Sequence, residues 1–329
     1  MKQGWTVIWS LIFLFGAAVM LRAGEREGLW KNYEAVPAVA PAEAVFVSTP
    51  STEPSPSAVP VITVEEAWDE LARETEPESS WEPVTVDSGG TLELRNETGY
   101  SVELAALPAL PQLTELQGAG PVVLIMHTHG SEAYTDPEIS GYRSQNEAKS
   151  VIAVGDVIRR TLEGHGYAVL HDKTLCDYPE YTGAYNRSRT VIQQAVEQYP
   201  GIFLVLDIHR DAVEDGEGNQ MRMACTLGDD AAAQLMLVVG TDAGGLDHPA
   251  WQRNLSLATV LQMRLSGAYP GLMRPLNLRT ERFNQDLAPL TLLVEVGASG
   301  NTLEEAKLAA KTFAEALSGV LDDCGGKSS

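Results

Sequence analysis

Two imidazoles and a carboxylate fall within six residues of one another at His127, His129 and Glu132, at the end of the run Val122-Val123-Leu124-Ile125-Met126-His127-Thr128-His129-Gly130-Ser131-Glu132. A third imidazole, His209, follows Phe203-Leu204-Val205-Leu206 and is flanked by Asp207, Arg210 and Asp211. A carboxylate, Glu295, interrupts Leu290-Thr291-Leu292-Leu293-Val294-Glu295-Val296-Gly297. A carboxylate placed in a buried strand must meet a cation, be hydrogen bonded or keep its proton, because leaving it unpaired costs several kcal/mol. Two His and one carboxylate with an open position form the usual ligand set of a hydrolytic zinc site, where zinc lowers the bound water's pKa to about 7. Glu295 then suits a general base beside that water, or a structural partner of Arg210 or Arg282. Glu147, at the start of a helix, offers a further oxygen ligand or simply answers the helix dipole. His165 and His171 sit at a helix-to-strand loop and just after a strand, and His248, before a proline in a glycine-rich loop, reads as a surface residue.

These groups meet only if the elements that carry them form one sheet. The uninterrupted apolar run before His127 fits a strand buried on both faces of a parallel sheet, with its polar residues at the C-terminal edge where open α/β sheets bind ligands. In extended backbone His127 and His129 share a face. From residue 118 onward strands and helices alternate, which predicts a mostly parallel sheet flanked by helices. Strands are expected over 122–126, 167–170, 202–208, 221–227, 236–239 and 290–296, and helices over 148–163, 186–197, 254–265 and 303–320. This is the catalytic domain, 118–322, followed by a short tail, 323–329. Ahead of it, residues 83–117 alternate in short strands around Ser88-Gly89-Gly90 and read as a small β appendage.

The N-terminal part speaks to address. Trp5 to Leu21 is an uncharged, mostly apolar run between Lys2 and Arg22, about 25 Å long as a helix at roughly 1.5 Å per residue, at the short end for spanning a bilayer. With only a weak small-x-small cleavage site after it, residues 1–24 read as an uncleaved single-pass membrane anchor. Residues 25–82 are rich in Pro, Ala and Glu and read as an extended extracytoplasmic linker. The whole chain carries 23 Lys+Arg against 45 Asp+Glu, a net charge of −22, which excludes nucleic acid as a partner. Cys176, Cys225 and Cys324 are far apart and form neither a zinc ribbon nor a disulfide framework.

Six ordered motifs, His127-Thr128-His129-Gly130-Ser131-Glu132, Asp207-Ile208-His209-Arg210-Asp211-Ala212, Asn254-Leu255-Ser256-Leu257-Ala258, Tyr269-Pro270-Gly271-Leu272, Phe283-Asn284-Gln285-Asp286-Leu287 and Leu293-Val294-Glu295-Val296-Gly297, together resemble the stage II sporulation protein P family of endospore-forming bacteria. The resemblance spans roughly residues 121–321. It implies a zinc-dependent peptidoglycan hydrolase of forespore engulfment, cleaving the amide between N-acetylmuramic acid and the stem peptide, with endopeptidase activity reported for the family. The implied partners are peptidoglycan and the stage II sporulation proteins D and M. The implied fold is similar to that of zinc-dependent N-acetylmuramoyl-L-alanine amidases. On that pattern His209 takes the later His ligand and Glu295 the catalytic base; the first ligand falls on His129 or His127, and the Glu ligand on Glu132 or Glu147. Arg210 or Asn284 would orient the substrate. A non-catalytic peptidoglycan-binding scaffold, or a zinc peptidase acting on the stem peptide, would use the same residues.

Overall fold

The computed structural model describes residues 81–85, 91–113 and 120–326; the expected anchor and linker lie outside them. Among the described residues no helix is long and apolar enough to cross a membrane. The strands are β1 (Trp81–Thr85), β2 (Thr91–Asn96), β3 (Val123–Met126), β4 (Val169–His171), β5 (Leu204–Asp211), β6 (Ala224–Leu227), β7 (Asp230–Ala233), β8 (Leu235–Gly240), β9 (Leu276–Arg279) and β10 (Leu290–Ala298). The α-helices are α1 (Val151–Gly164), α2 (Ala184–Gln198), α3 (Trp251–Ala268) and α4 (Leu303–Leu321). One sheet takes the order β1-β2-β9-β8-β10-β5-β3-β4, and β6 and β7 make a separate hairpin. Pairing is parallel except between β1 and β2 and between β10 and β8. The mostly parallel, helix-flanked sheet expected from the sequence is therefore present.

The side-chain period of two divides the central strands between two cores. Val123, Ile125, Leu204, Leu206, Ile208, Leu292 and Val294 face α1, α3 and α4, while Leu124, Met126 and Val205 face Ile192 and Ala195 of α2. Because both faces are covered, these strands read as unbroken apolar runs. Ser150 caps α1 by accepting from Ile152 N, and a capping box between Thr302 and Glu305 starts α4.

Two expectations change. The segment read as a separate β appendage supplies β1 and β2, and β2 pairs in parallel with β9, Leu94 opposite Leu276, so it forms one edge of the main sheet. β9 is four residues long and carries a polar Asn277, too short for a periodic signal, yet its open edge is what β2 completes. Past β2 the rest of the segment expected to alternate in short strands is irregular and leads into a 3₁₀ turn at Leu104–Ala106.

Candidate active site

β3, β5 and β10 run parallel, so their C-terminal ends lie at the same edge of the sheet, with Met126 opposite Asp207 and His209 opposite Glu295. β3 stops at Met126, and residues 128–130 form a turn. Thr128 holds that turn against β5: its N–H donates to Asp207 Oδ1 at 2.8 Å and its hydroxyl to Oδ2 at 2.6 Å. The end of the strand also ends the alternation, so the two imidazoles expected on one face diverge. His127 keeps the parity of Val123 and Ile125 and turns toward α1. Its Nδ1 lies 2.9 Å from Ile208 O, and its Nε2 lies 2.9 Å from His171 Nε2, which is backed by Asp156 Oδ1 at 3.0 Å from Nδ1. A carbonyl only accepts, so His127 carries its proton on Nδ1 and offers a lone pair at Nε2. Burial, with His171 adding, pulls the His127 pKa down to about 3. Gly155 makes room for this pair, since a Cβ there would meet His171 Nε2 at 2.7 Å and His127 Nε2 at 2.9 Å.

His129 turns the other way. Its ring stacks on Tyr181 at 4.3 Å between centroids and meets His209 edge-on at 5.3 Å and Tyr185 at 5.6 Å. Its Nδ1 is buried with no hydrogen-bond partner, and burial lowers its pKa to about 4 against the pull of Glu132. Glu132 accepts from the backbone N–H of Arg210 at 3.1 Å, and its Oε2 stands 3.4 Å from His209 Nδ1. Burial alone would raise the Glu132 pKa; Arg210 and His209 outweigh it and hold the carboxyl well below its ordinary range. His209 Nε2 is 2.9 Å from Asp207 Oδ1, an ion-pair distance out of hydrogen-bond alignment. Burial disfavours a charged His209, but the two carboxylates prevail and raise its pKa well above the usual imidazole value. Glu295 is half-buried with Oε2 unpartnered, and burial, reinforced by Asp211, pushes its pKa up to about 8. His129, Glu132, His209 and Glu295 thus lie together at the sheet edge.

The remaining expected residues have other duties. Arg210 is buried, and its guanidinium donates to the carbonyls of Ala133 and Tyr142, pinning the loop after Glu132. Asn284 is also buried; its Nδ2 donates to Tyr185 O at 2.7 Å and Ser188 Oγ at 3.1 Å. Both side chains thus spend donors within the protein, Arg210 on two backbone carbonyls and Asn284 on Tyr185 O and Ser188 Oγ. Glu147 is exposed and pairs with Lys173 at 3.1 Å, away from the buried cluster. His248 is buried rather than superficial, at 3.3 Å from Asn254 Nδ2. Asn254 and Gln285 close strand ends: Asn254 bonds Gln285 O and Thr291 N, and Gln285 bonds Gly240 N and Val238 O. Sequence reasoning marked Asp207 only as a flanking charge and passed over Tyr185; a carboxylate two residues before a candidate ligand on the same strand face is the signal that would have found Asp207.

Among the described residues no three His, Cys, Asp or Glu side chains stand assembled in the geometry of a metal centre. The chemistry of the donors nevertheless fits a divalent cation. His129 Nδ1 and Glu295 Oε2 are buried without partners, and a cationic His209 supplies the positive charge between Glu132 and Asp207. Asp207 sets a carboxylate at ion-pair distance behind His209, as ligand imidazoles commonly have. Zinc at His129 Nδ1, Glu132 and His209 Nδ1 would displace the imidazolium proton, as metal binding to protonated ligands does.

The sequence pattern of the family described as Stage II sporulation protein P (SpoIIP) matches residues 47–318. A stage II sporulation protein P from Bacillus subtilis (strain 168) is 28% identical over 215 residues, 60% of this chain and 50% of that protein, so the chain spans about half the length of the curated relative it matches. Similar solved structures include the N-acetylmuramoyl-L-alanine amidase AmiC2 of Nostoc punctiforme, with 13% identity, a TM-score of 0.40 and coverage of 64% of this chain and 100% of that one. The CwlD amidase from Clostridioides difficile in complex with the GerS lipoprotein has 14% identity, a TM-score of 0.39 and coverage of 62% and 96%.

Proposed function

The chain belongs to the stage II sporulation protein P family, and on that membership and its buried site we propose that it is a zinc-dependent peptidoglycan hydrolase of sporulation. The bond cleaved is the amide joining N-acetylmuramic acid to the stem peptide, with stem-peptide cross-links as a second class of substrate. The observation that carries the reading is the convergence of His129, Glu132, His209 and Glu295 at one sheet edge, with His129 Nδ1 and Glu295 Oε2 buried and unpartnered. Buried polar atoms are usually paired, and a bound metal and a reacting water would satisfy these two.

Bound at His129, Glu132 and His209, zinc would supply Lewis-acid activation of water and carbonyl. Glu295 takes a proton from the attacking water and delivers it to the amine nitrogen as the carbon–nitrogen bond breaks. Its raised pKa suits both halves of that transfer, since a general base works best when its proton affinity lies near the working pH. Asp207 holds His209, and Arg210 holds the loop that carries Glu132. Peptidoglycan is the proposed substrate and stage II sporulation proteins D and M are the proposed partners. An N-terminal single-pass anchor with the catalytic domain outside the cytoplasm is the proposed location, tested by protease protection of the full chain in intact cells.

The deciding experiment measures zinc in the purified full chain and then digests peptidoglycan with and without chelator. Stoichiometric zinc with chelator-sensitive release of stem peptides supports the amidase, and released peptides bearing a free L-alanine amine distinguish it from a peptidase. No metal and no release after zinc is restored would favour a binding scaffold.

A further inference from the structure

Tyr185, the second residue of α2, is fixed from several sides. Its carbonyl accepts from Asn284 Nδ2 at 2.7 Å and Ser188 Oγ at 3.2 Å, and its ring packs on Phe283 at 5.8 Å and edge-on to His129 at 5.6 Å. Phe283 and Asn284 both take a positive φ, 51° and 57°, conformations that cost energy for residues other than glycine. That strained pair bears directly on Tyr185. The ring is half-buried, and its hydroxyl makes no hydrogen bond within the described residues, which leaves it available to a ligand. The ring lies against His129 at the edge of the cluster, and a phenol carries its proton at neutral pH, so the hydroxyl is a ready hydrogen-bond donor there.

We propose that Tyr185 is a catalytic residue whose hydroxyl donates a hydrogen bond to the scissile amide oxygen as that oxygen becomes an oxyanion. The inference rests on the reading of the cluster as an amide-hydrolysing site. As the water oxygen adds to the amide carbon, the carbonyl π pair moves onto oxygen, the water proton passes to Glu295, and Tyr185 keeps its own proton while sharing it with the new negative charge. When the carbon–nitrogen bond breaks, the pair returns to the carbonyl and the Glu295 proton goes to the leaving nitrogen. A donor aimed at charge that develops only in the transition state raises kcat more than it tightens substrate binding.

The test compares the zinc-loaded full chain with its Y185F variant on a disaccharide–pentapeptide muropeptide, together with affinity for a phosphinate analogue of the tetrahedral species. Expected are a loss of about 10²-fold in kcat with KM within about twofold, unchanged zinc content, and a similar loss of affinity for the phosphinate but not for the product peptide. Wild-type cleavage with an unaltered kcat in Y185F overturns the role of Tyr185 alone. A wild-type chain that binds zinc and never cleaves overturns the hydrolase reading and this inference with it. If Y185F lowers the unfolding midpoint, the ratio of phosphinate to product affinity decides, and an unchanged ratio overturns the proposal.

Discussion

His209 stands between two carboxylates, with Asp207 Oδ1 2.9 Å from one ring nitrogen and Glu132 Oε2 3.4 Å from the other, and burial, reinforced by Asp211, raises the pKa of the neighbouring Glu295 to about 8, near the working pH of a proton acceptor. These residues define separable roles. Glu295→Gln keeps the shape and removes the proton acceptor, so cleavage should fall by about 10²–10⁴-fold while zinc content stays at the wild-type level; activity within a fewfold of wild type would take Glu295 out of the mechanism. His127 and His209 are told apart by a pair of variants. His209→Ala should abolish zinc binding measured by metal analysis. His127→Ala should keep zinc and lose stability, because its imidazole bonds Ile208 O and His171 on the α1 side of the sheet. Zinc lost from His127→Ala alone would reverse the assignment.

At the scale of elements, the site depends on how closely α1 approaches the end of β3. Gly155 sits where any side chain would strike the His127–His171 pair. In an isolated helix Gly155→Ala would add about 0.5–1 kcal/mol of stability; here the clash should reverse the sign and cost about 1–3 kcal/mol, read from the denaturant midpoint. A gain would mean that the pair can yield. Asn254 on α3 joins the 285 loop to the start of β10 through Gln285 O and Thr291 N. Asn254→Ala leaves those buried groups unsatisfied and should lower stability by about 1–3 kcal/mol with zinc content unchanged. β3, β5, β10 and α4 carry long periodic or unbroken apolar patterns and were legible. β9 was not, being four residues with a polar one inside, and with it went the recognition that β2 belongs to the main sheet.

For the whole molecule, a metal that binds only the folded chain stabilises it by mass action. Zinc at about one hundred times its dissociation constant should add about 2.7 kcal/mol, seen as a raised unfolding midpoint that chelator reverses. A shift retained in His209→Ala would place the metal elsewhere, and no shift in the wild type would remove the zinc site. The sequence by itself determined the fold class, because strands covered on both faces have to be apolar throughout, and it determined the residue types of the site, because charged groups at the ends of such strands stand out against them. It also carried the six motifs that mark the family. Only the tertiary structure decided which imidazole faces the cluster, since that depends on β3 stopping at Met126 and on the turn that Asp207 holds. It likewise decided that Arg210 and Asn284 bond backbone and that Glu147 pairs with Lys173 at the surface. Such outcomes rest on hydrogen bonds between residues 68 to 99 positions apart, or on a surface ion pair made across a loop, and no local pattern encodes partners at that separation.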